Sequence, residues 1–348
     1  MTQEVVIGID WSGAKEAGRA VWVSRGCLSS DAAGQPPVFR LTECFPASNL
    51  PDAGPSRDES YKALLAYIRA HKGTVGYIGL DAPVSLSELL LDRLELQEHI
   101  KLAGDTATSS SKAHTPAGDQ SGATRWGRFI EAFGEAFDSP EAFKRACDAC
   151  GSEKELKRAS DVLHKTPWLP HNVRMFRQAY HSLASLIAPL VRSDDIRVAP
   201  MQSAAEGVPL LLETCPASLL KAIDSNNRDD GQRPAKRQKT ATDGSSGKAT
   251  LPPALYQPYK GTTDAHRRQR ERIWASFEDG SCELVRLQTA DDGQLRALCV
   301  GNAGGDALDS VLAALCVCVS LPMCGNELFP WPRTGRDDVY LTEGCVYC

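Results

Sequence analysis

Val5-Val6-Ile7-Gly8-Ile9-Asp10-Trp11-Ser12-Gly13-Ala14 is the stretch on which the fold turns. Apolar and small residues run unbroken from Val5 to Ile9 and then meet a carboxylate. A short run without polar alternation reads as a strand buried on both faces. Asp10 therefore stands at the strand's carboxyl end, the edge at which open α/β sheets bind ligands and metals. Ser12-Gly13 gives a tight turn, and Arg19 to Ser24 reads as a strand returning beside the first in a hairpin.

The same pattern recurs further along. Gly76-Tyr77-Ile78-Gly79-Leu80 is a short apolar run closed by Asp81, and Ala82-Pro83 stops the strand there. Pro209-Leu210-Leu211-Leu212 ends on Glu213, followed by a helix over Ala217–Ile223 with Pro216 in its first turn. Between these runs, Pro37 to Cys44 alternates as a third strand, and Tyr61–Ile68 and Ser87–Leu96 have helical spacing. Arg125–Cys150 is helical, with Trp126, Phe129, Phe133 and Phe137 spaced to pack on a core. Lys154–Lys165 reads as a basic helix, and Val173 to about Val191 as another. Asp264–Phe277 is a basic helix capped by Asp264. Gly304-Gly305 then precedes a nearly all-apolar helix that opens with Asp306 and Asp309, which project from one face.

The fold class is therefore α/β, a sheet flanked by helices. One domain is expected over 1–325, with a helical insertion at about 105–170 and a disordered polar loop at about 226–253. Residues 326–348 read as an irregular extension. The chain has 348 residues, 42% hydrophobic, enough for a sizeable core, and a net charge of −5. That charge argues against coating nucleic acid through bulk positive potential, but leaves room for a local grip on a few phosphates. Residue 1 leads straight into the first strand without a signal pattern, so a soluble, intracellular protein is expected, cytoplasmic or nuclear. Arg233-Pro234-Ala235-Lys236-Arg237-Gln238-Lys239 reads as an import signal or as a solvated charge run. The sequence has 12 cysteines, among them Cys147-x-x-Cys150 and Cys345-x-x-Cys348, a weak zinc signal at that separation.

Asp10, Asp81, Glu213, Asp306 and Asp309 each lie where an apolar element ends or begins. Singly, such acids are turn formers and caps. Together, at the ends of buried parallel strands, they would bring like charges close, a costly arrangement unless a cation sits among them. Oxygen ligands without nearby His or Cys point to Mg²⁺ or Mn²⁺. Two such ions roughly 4 Å apart serve phosphodiester cleavage. Asp10 is expected to bridge them, Asp81 and Glu213 each to hold one, and Asp309 or Asp306 to complete the second. The expected partner is nucleic acid, with Arg174, Arg268 and Arg272 as phosphate-facing candidates.

Gly8-Ile9-Asp10-Trp11-Ser12-Gly13-Ala14, Leu80-Asp81-Ala82-Pro83, Pro170-His171-Asn172-Val173-Arg174-Met175-Phe176-Arg177-Gln178, Glu213-Thr214-Cys215-Pro216-Ala217-Ser218 and Gly305-Asp306-Ala307-Leu308-Asp309 resemble, in that order, motifs of the family catalogued as domain of unknown function 429. The resemblance implies an RNase-H-like nuclease fold, a mixed five-stranded sheet whose first three strands are antiparallel. Asp306-Ala307-Leu308-Asp309 also resembles the paired aspartates on the last helix of Holliday-junction resolvases. Two other readings stay open: a non-catalytic module binding nucleic acid or protein through a vestigial acidic site, and an actin-like nucleotide-binding ATPase. The second needs two copies of the fold, and the sequence holds one Gly-Ile-Asp element.

Overall fold

A computed structural model describes residues 4–29, 35–100, 124–152, 154–166, 169–229, 254–291, 293–323 and 339–348. Its strands are β1 (Glu4–Asp10), β2 (Trp22–Ser29), β3 (Val38–Pro46), β4 (Tyr77–Asp81), β5 (Arg197–Val198), β6 (Leu210–Thr214), β7 (Arg286–Thr289) and β8 (Val346–Tyr347). They form one mixed sheet of eight strands in the order β5-β6-β4-β1-β2-β3-β7, with β8 paired to β6. β1, β2 and β3 run antiparallel in succession, while β4 lies parallel to β1 and β6 parallel to β4. The sheet has eight strands where five were expected, and β5, β7 and β8 are its short members.

Helices cover both faces, because the central strands are apolar on both. Ile7, Ile9, Ile78, Leu80 and Leu211 pack in one core with the helices Arg57–Ala70, Glu88–Leu96, Arg125–Ala136 and Pro140–Cys150. Val6, Leu41, Leu210 and Leu212 pack in the other with Asp264–Glu278, Gln294–Gly301 and Asp306–Met323. Alternate residues of a strand point to opposite faces, so neighbours such as Val6 and Ile7 enter different cores. Trp126, Phe129, Phe133 and Phe137 are all buried in the first core, packing as expected.

The helix Asp306–Met323 crosses the middle of the sheet in close contact. A Cβ at Gly8 would fall 2.0 Å from the Ser310 carbonyl oxygen, and one at Gly79 would fall 2.3 Å from that of Ala313. These two bare positions let the helix backbone lie directly on β1 and β4.

Several boundaries differ from the sequence reading. The second strand begins at Trp22, because a short helix, Ala17–Ala20, fills the connection where Arg19 was expected to be extended. The basic segment 154–165 contributes only the helix Ala159–Leu163, since Arg158 holds an extended backbone and turns its side chain into the core. The stretch expected as one helix from Val173 starts at Phe176 and includes a π-helical segment, Ser182–Ile187. Thr263, not Asp264, caps the helix Asp264–Glu278 by accepting from the His266 N–H. The helix Pro216–Asp229 runs on through 226–229, where the polar loop was expected to begin. The extension 326–348 is not irregular throughout: Tyr340–Glu343 is helical and β8 adds to β6. The loop 105–122 and the basic cluster 233–239 lie outside the described residues.

Cys147 and Cys150 are buried in the first core, whereas Cys345 and Cys348 lie in or against the second, so the two pairs do not form one site. Among the described residues no single helix is long and apolar enough to cross a membrane.

Candidate metal centre

Asp10 and Asp81 are direct partners in the parallel β1–β4 register and therefore leave the sheet on the same face. That face carries the helix Asp306–Met323. Gly305, with φ +81°, turns the chain into the helix, and the first turn brings Asp309 down beside the strand ends. One carboxylate oxygen each from Asp10, Asp81 and Asp309 can be chosen so that all lie within 4.8 Å of one another. Asp10 and Asp309 are buried, and Asp81 keeps partial contact with solvent. Asp306, one turn away and more exposed, stands outside this group, which selects Asp309 between the two helix acids. The three line an open cleft of about 370 Å³.

The sequence reading did not single out the cation that faces this group. Lys260 Nζ lies 2.5 Å from Asp309 Oδ2 and 3.6 Å from Asp306 Oδ1. The Tyr259 hydroxyl donates to Asp309 Oδ1 at 2.5 Å, so each Asp309 oxygen already meets one donor. Arg270 fixes the loop that carries both. Its buried guanidinium donates to the carbonyls of Val300 (2.7 Å), Tyr259 (2.5 Å) and Gly261 (3.1 Å). The basic helix thus turns one arginine inward to build the site's wall.

Burial raises the Asp10 carboxyl well above its ordinary value. Lys260 opposes that rise, and Asp309, Asp81 and Asp306 add to it. Burial and the neighbouring Asp309 push Asp81 up to about 7 against the pull of Lys260. Burial alone would depress Lys260, but Asp309 and Asp10 outweigh it and hold the ammonium well above its usual value. Without a metal ion, burial and mutual repulsion thus favour the protonated forms of Asp10 and Asp81, which the one lysine only partly opposes.

Glu213 does not join the triad. Its ladder partner on β4 is Leu80, one residue before Asp81, so its side chain leaves the sheet on the other face, at the far wall of the same cleft. There Arg158 takes both of its oxygens, at 2.7 and 2.5 Å, and the Val84 N–H donates to Oε2 at 2.9 Å. Arg158 also reaches both oxygens of Asp161, at 2.8 and 2.9 Å. The expected metal ligand is instead one acid of a buried ion-pair network. The residue of β6 that shares the face of Asp81 is Thr214, which lines the cleft and whose buried hydroxyl has no hydrogen-bond partner among the described residues.

Gln178 secures the two strand exits. Its side-chain amide donates to the carbonyls of Trp11 (2.9 Å) and Asp81 (2.8 Å), and its own carbonyl accepts from the Trp11 indole at 3.2 Å. Arg174, Arg268 and Arg272 do not line the cleft. Arg174 and Arg268 are exposed, and Arg272 donates to Gln269 Oε1 at 2.9 Å along its own helix.

The donor set fits a hard divalent cation. Three carboxylates offer clustered oxygens, Thr214 with its unpartnered hydroxyl lines the same cleft, and among the described residues no imidazole or thiol joins the carboxylate group, although Cys215 also lines the cleft. No protein-family profile, curated protein or solved structure matches the chain.

Proposed function

We propose that this protein is a divalent-metal-dependent nuclease with an RNase-H-like fold, acting on phosphodiester bonds through Asp10, Asp81 and Asp309. The convergence of those three carboxylates at the carboxyl edge of β1 and β4 carries the reading. The central order β3-β2-β1-β4-β6, antiparallel and then parallel, supports the fold assignment. So does the motif resemblance to domain of unknown function 429.

Asp10, Asp81 and Asp309 would hold Mg²⁺ or Mn²⁺, which when bound supplies charge to activate water and to stabilise the leaving oxygen. Gln178 fixes the backbone that carries two of the ligands, and Tyr259 orients the third. The half-exposed Lys260 side chain lines the cleft, where its ammonium would meet an entering anionic phosphoryl group. One observation favours a second reading. Lys260 already pairs with Asp309, so the cluster can also be a satisfied charge network in a non-catalytic binding module.

Titration of Mg²⁺ and Mn²⁺ into the wild type and Asp10→Asn, followed by incubation with DNA, RNA, hybrid and branched substrates, separates the readings. Metal-dependent cleavage abolished by Asp10→Asn is expected. Metal binding without cleavage across that panel favours the binding module, and ATP binding without cleavage favours an actin-like ATPase.

A further inference from the structure

We infer that Lys260 occupies the position of a second cation, so that this centre takes one divalent ion per chain rather than two. The inference rests on the metal-dependent reading above and specifies its stoichiometry.

A two-ion centre needs the acid at the far side of the cluster free to ligate. Here that acid is Asp309, and its oxygens are divided between the Lys260 ammonium and the Tyr259 hydroxyl, each at 2.5 Å. Asp306, a further carboxylate beside it, also faces Lys260, at 3.6 Å. An ammonium wedged between Asp309 and Asp306 excludes a divalent ion from that side on both space and charge. Asp10 and Asp81 line the cleft with Thr214 and, among the described residues, have no ammonium or guanidinium bonded to them, so the single ion belongs there.

Charge placement agrees: Lys260 sits on Asp309 and Asp306, so among the described residues the carboxylates of the triad left without a bonded cation are Asp10 and Asp81. The lysine is also fixed in place. Arg270 clamps the carbonyls of Tyr259 and Gly261 on either side of it, so the ammonium is built into the wall instead of swinging on a free loop. Unlike a second metal, it does not dissociate on dilution or chelation.

Mn²⁺ alone is the probe, counted by equilibrium dialysis and examined by electron paramagnetic resonance. The wild-type chain is expected to bind one magnetically isolated ion. Lys260→Met is expected to bind two, with the exchange-coupled spectrum of a close pair, and Lys260→Arg to keep one. Circular dichroism checks that the variants fold, and the wild-type count stands without them. Two coupled ions in the wild type would overturn the inference and leave the metal-dependent reading intact, as would a folded Lys260→Met that still binds one. No ion in the wild type would remove both.

Discussion

Arg158 and Glu213 meet in a buried two-point ion pair, guanidinium nitrogens at 2.7 and 2.5 Å from the carboxylate oxygens. Around them, Asp161 takes the remaining face of the guanidinium, and Glu343 accepts from the backbone N–H groups of Ala159 and Glu88. This network joins the region after β4, the Ala159–Leu163 helix, the end of β6 and the last ten residues. Removing one partner leaves a buried charge uncompensated. Arg158→Met is expected to lower unfolding stability by roughly 3–5 kcal/mol in urea denaturation. Combining it with Glu213→Gln is expected to recover part of that loss, because the double change withdraws both charges.

The raised Asp81 carboxyl makes stability depend on pH in the metal-free protein. Its value is about 7 when folded against an ordinary 3.8, so the folded state holds its proton where the unfolded state has released it. Stability from this group is complete below about 3.8 and is lost as pH rises through 7. With chelator present, Asp81→Asn is expected to match the wild type near pH 4. It should exceed it at pH 8, by something on the order of 2–4 kcal/mol. Added Mn²⁺ is expected to stabilise the wild type at pH 8 and close that gap. Thermal melts of both proteins from pH 4 to 8, with and without Mn²⁺, measure this.

His181 acts in the opposite sense. Burial, assisted by Arg57, depresses it from an ordinary 6.5 to about 4. Its Nε2 is buried without a partner, and its ring packs against Tyr61 and Tyr180. The unfolded chain therefore takes up a proton that the folded chain refuses, and stability falls as pH drops from about 6.5 towards 4. His181→Gln is expected to flatten that acid limb, by on the order of 1–3 kcal/mol at its foot. Paired denaturation curves at pH 4.5 and 7.5 provide the check.

Arg270→Gln tests the clamp on the lysine loop. Three backbone carbonyls lose a buried charged donor, a change expected to cost about 2–4 kcal/mol. The local consequence is more specific. Trypsin is expected to cut after Lys260 faster in the folded variant than in the wild type, at equal distance from the unfolding midpoint, which mass spectrometry of timed digests reads directly.

The apolar runs ending at Asp10 and Asp81 were legible because a buried strand leaves an unmistakable sequence trace, and a closing acid marks the sheet edge. Glu213 shows where that reasoning stops. Its run, Leu210-Leu211-Leu212-Glu213, looks the same as the others, but the ladder sets it one residue out of phase with Asp81. Phase between strands is fixed by pairing and is invisible in a uniformly apolar run. The Asp306/Asp309 choice depended on how deep the first turn of the helix sits, which its spacing leaves open. Lys260 lies in an irregular segment without periodicity, and Arg158 sits in a basic run that resembles a solvated helix. In both cases the cation's role comes from acids distant in sequence. Arg174, Arg268 and Arg272 carried the right charge but not the right position.

Gly8 and Gly79 touch no ligand, yet they set the height of the helix that delivers Asp309. A blind search for loss-of-function variants would therefore return them beside the aspartates, and the two classes would respond differently to repair. A missing carboxylate is a chemical defect that no change elsewhere restores. An added methyl at either glycine is a displacement, and trimming the helix face opposite it, at Ser310 or Ala313, cannot undo it because the obstruction is main-chain carbonyl. The spacing of this centre is thus held by the absence of two side chains, and neither position has room for even a methyl group.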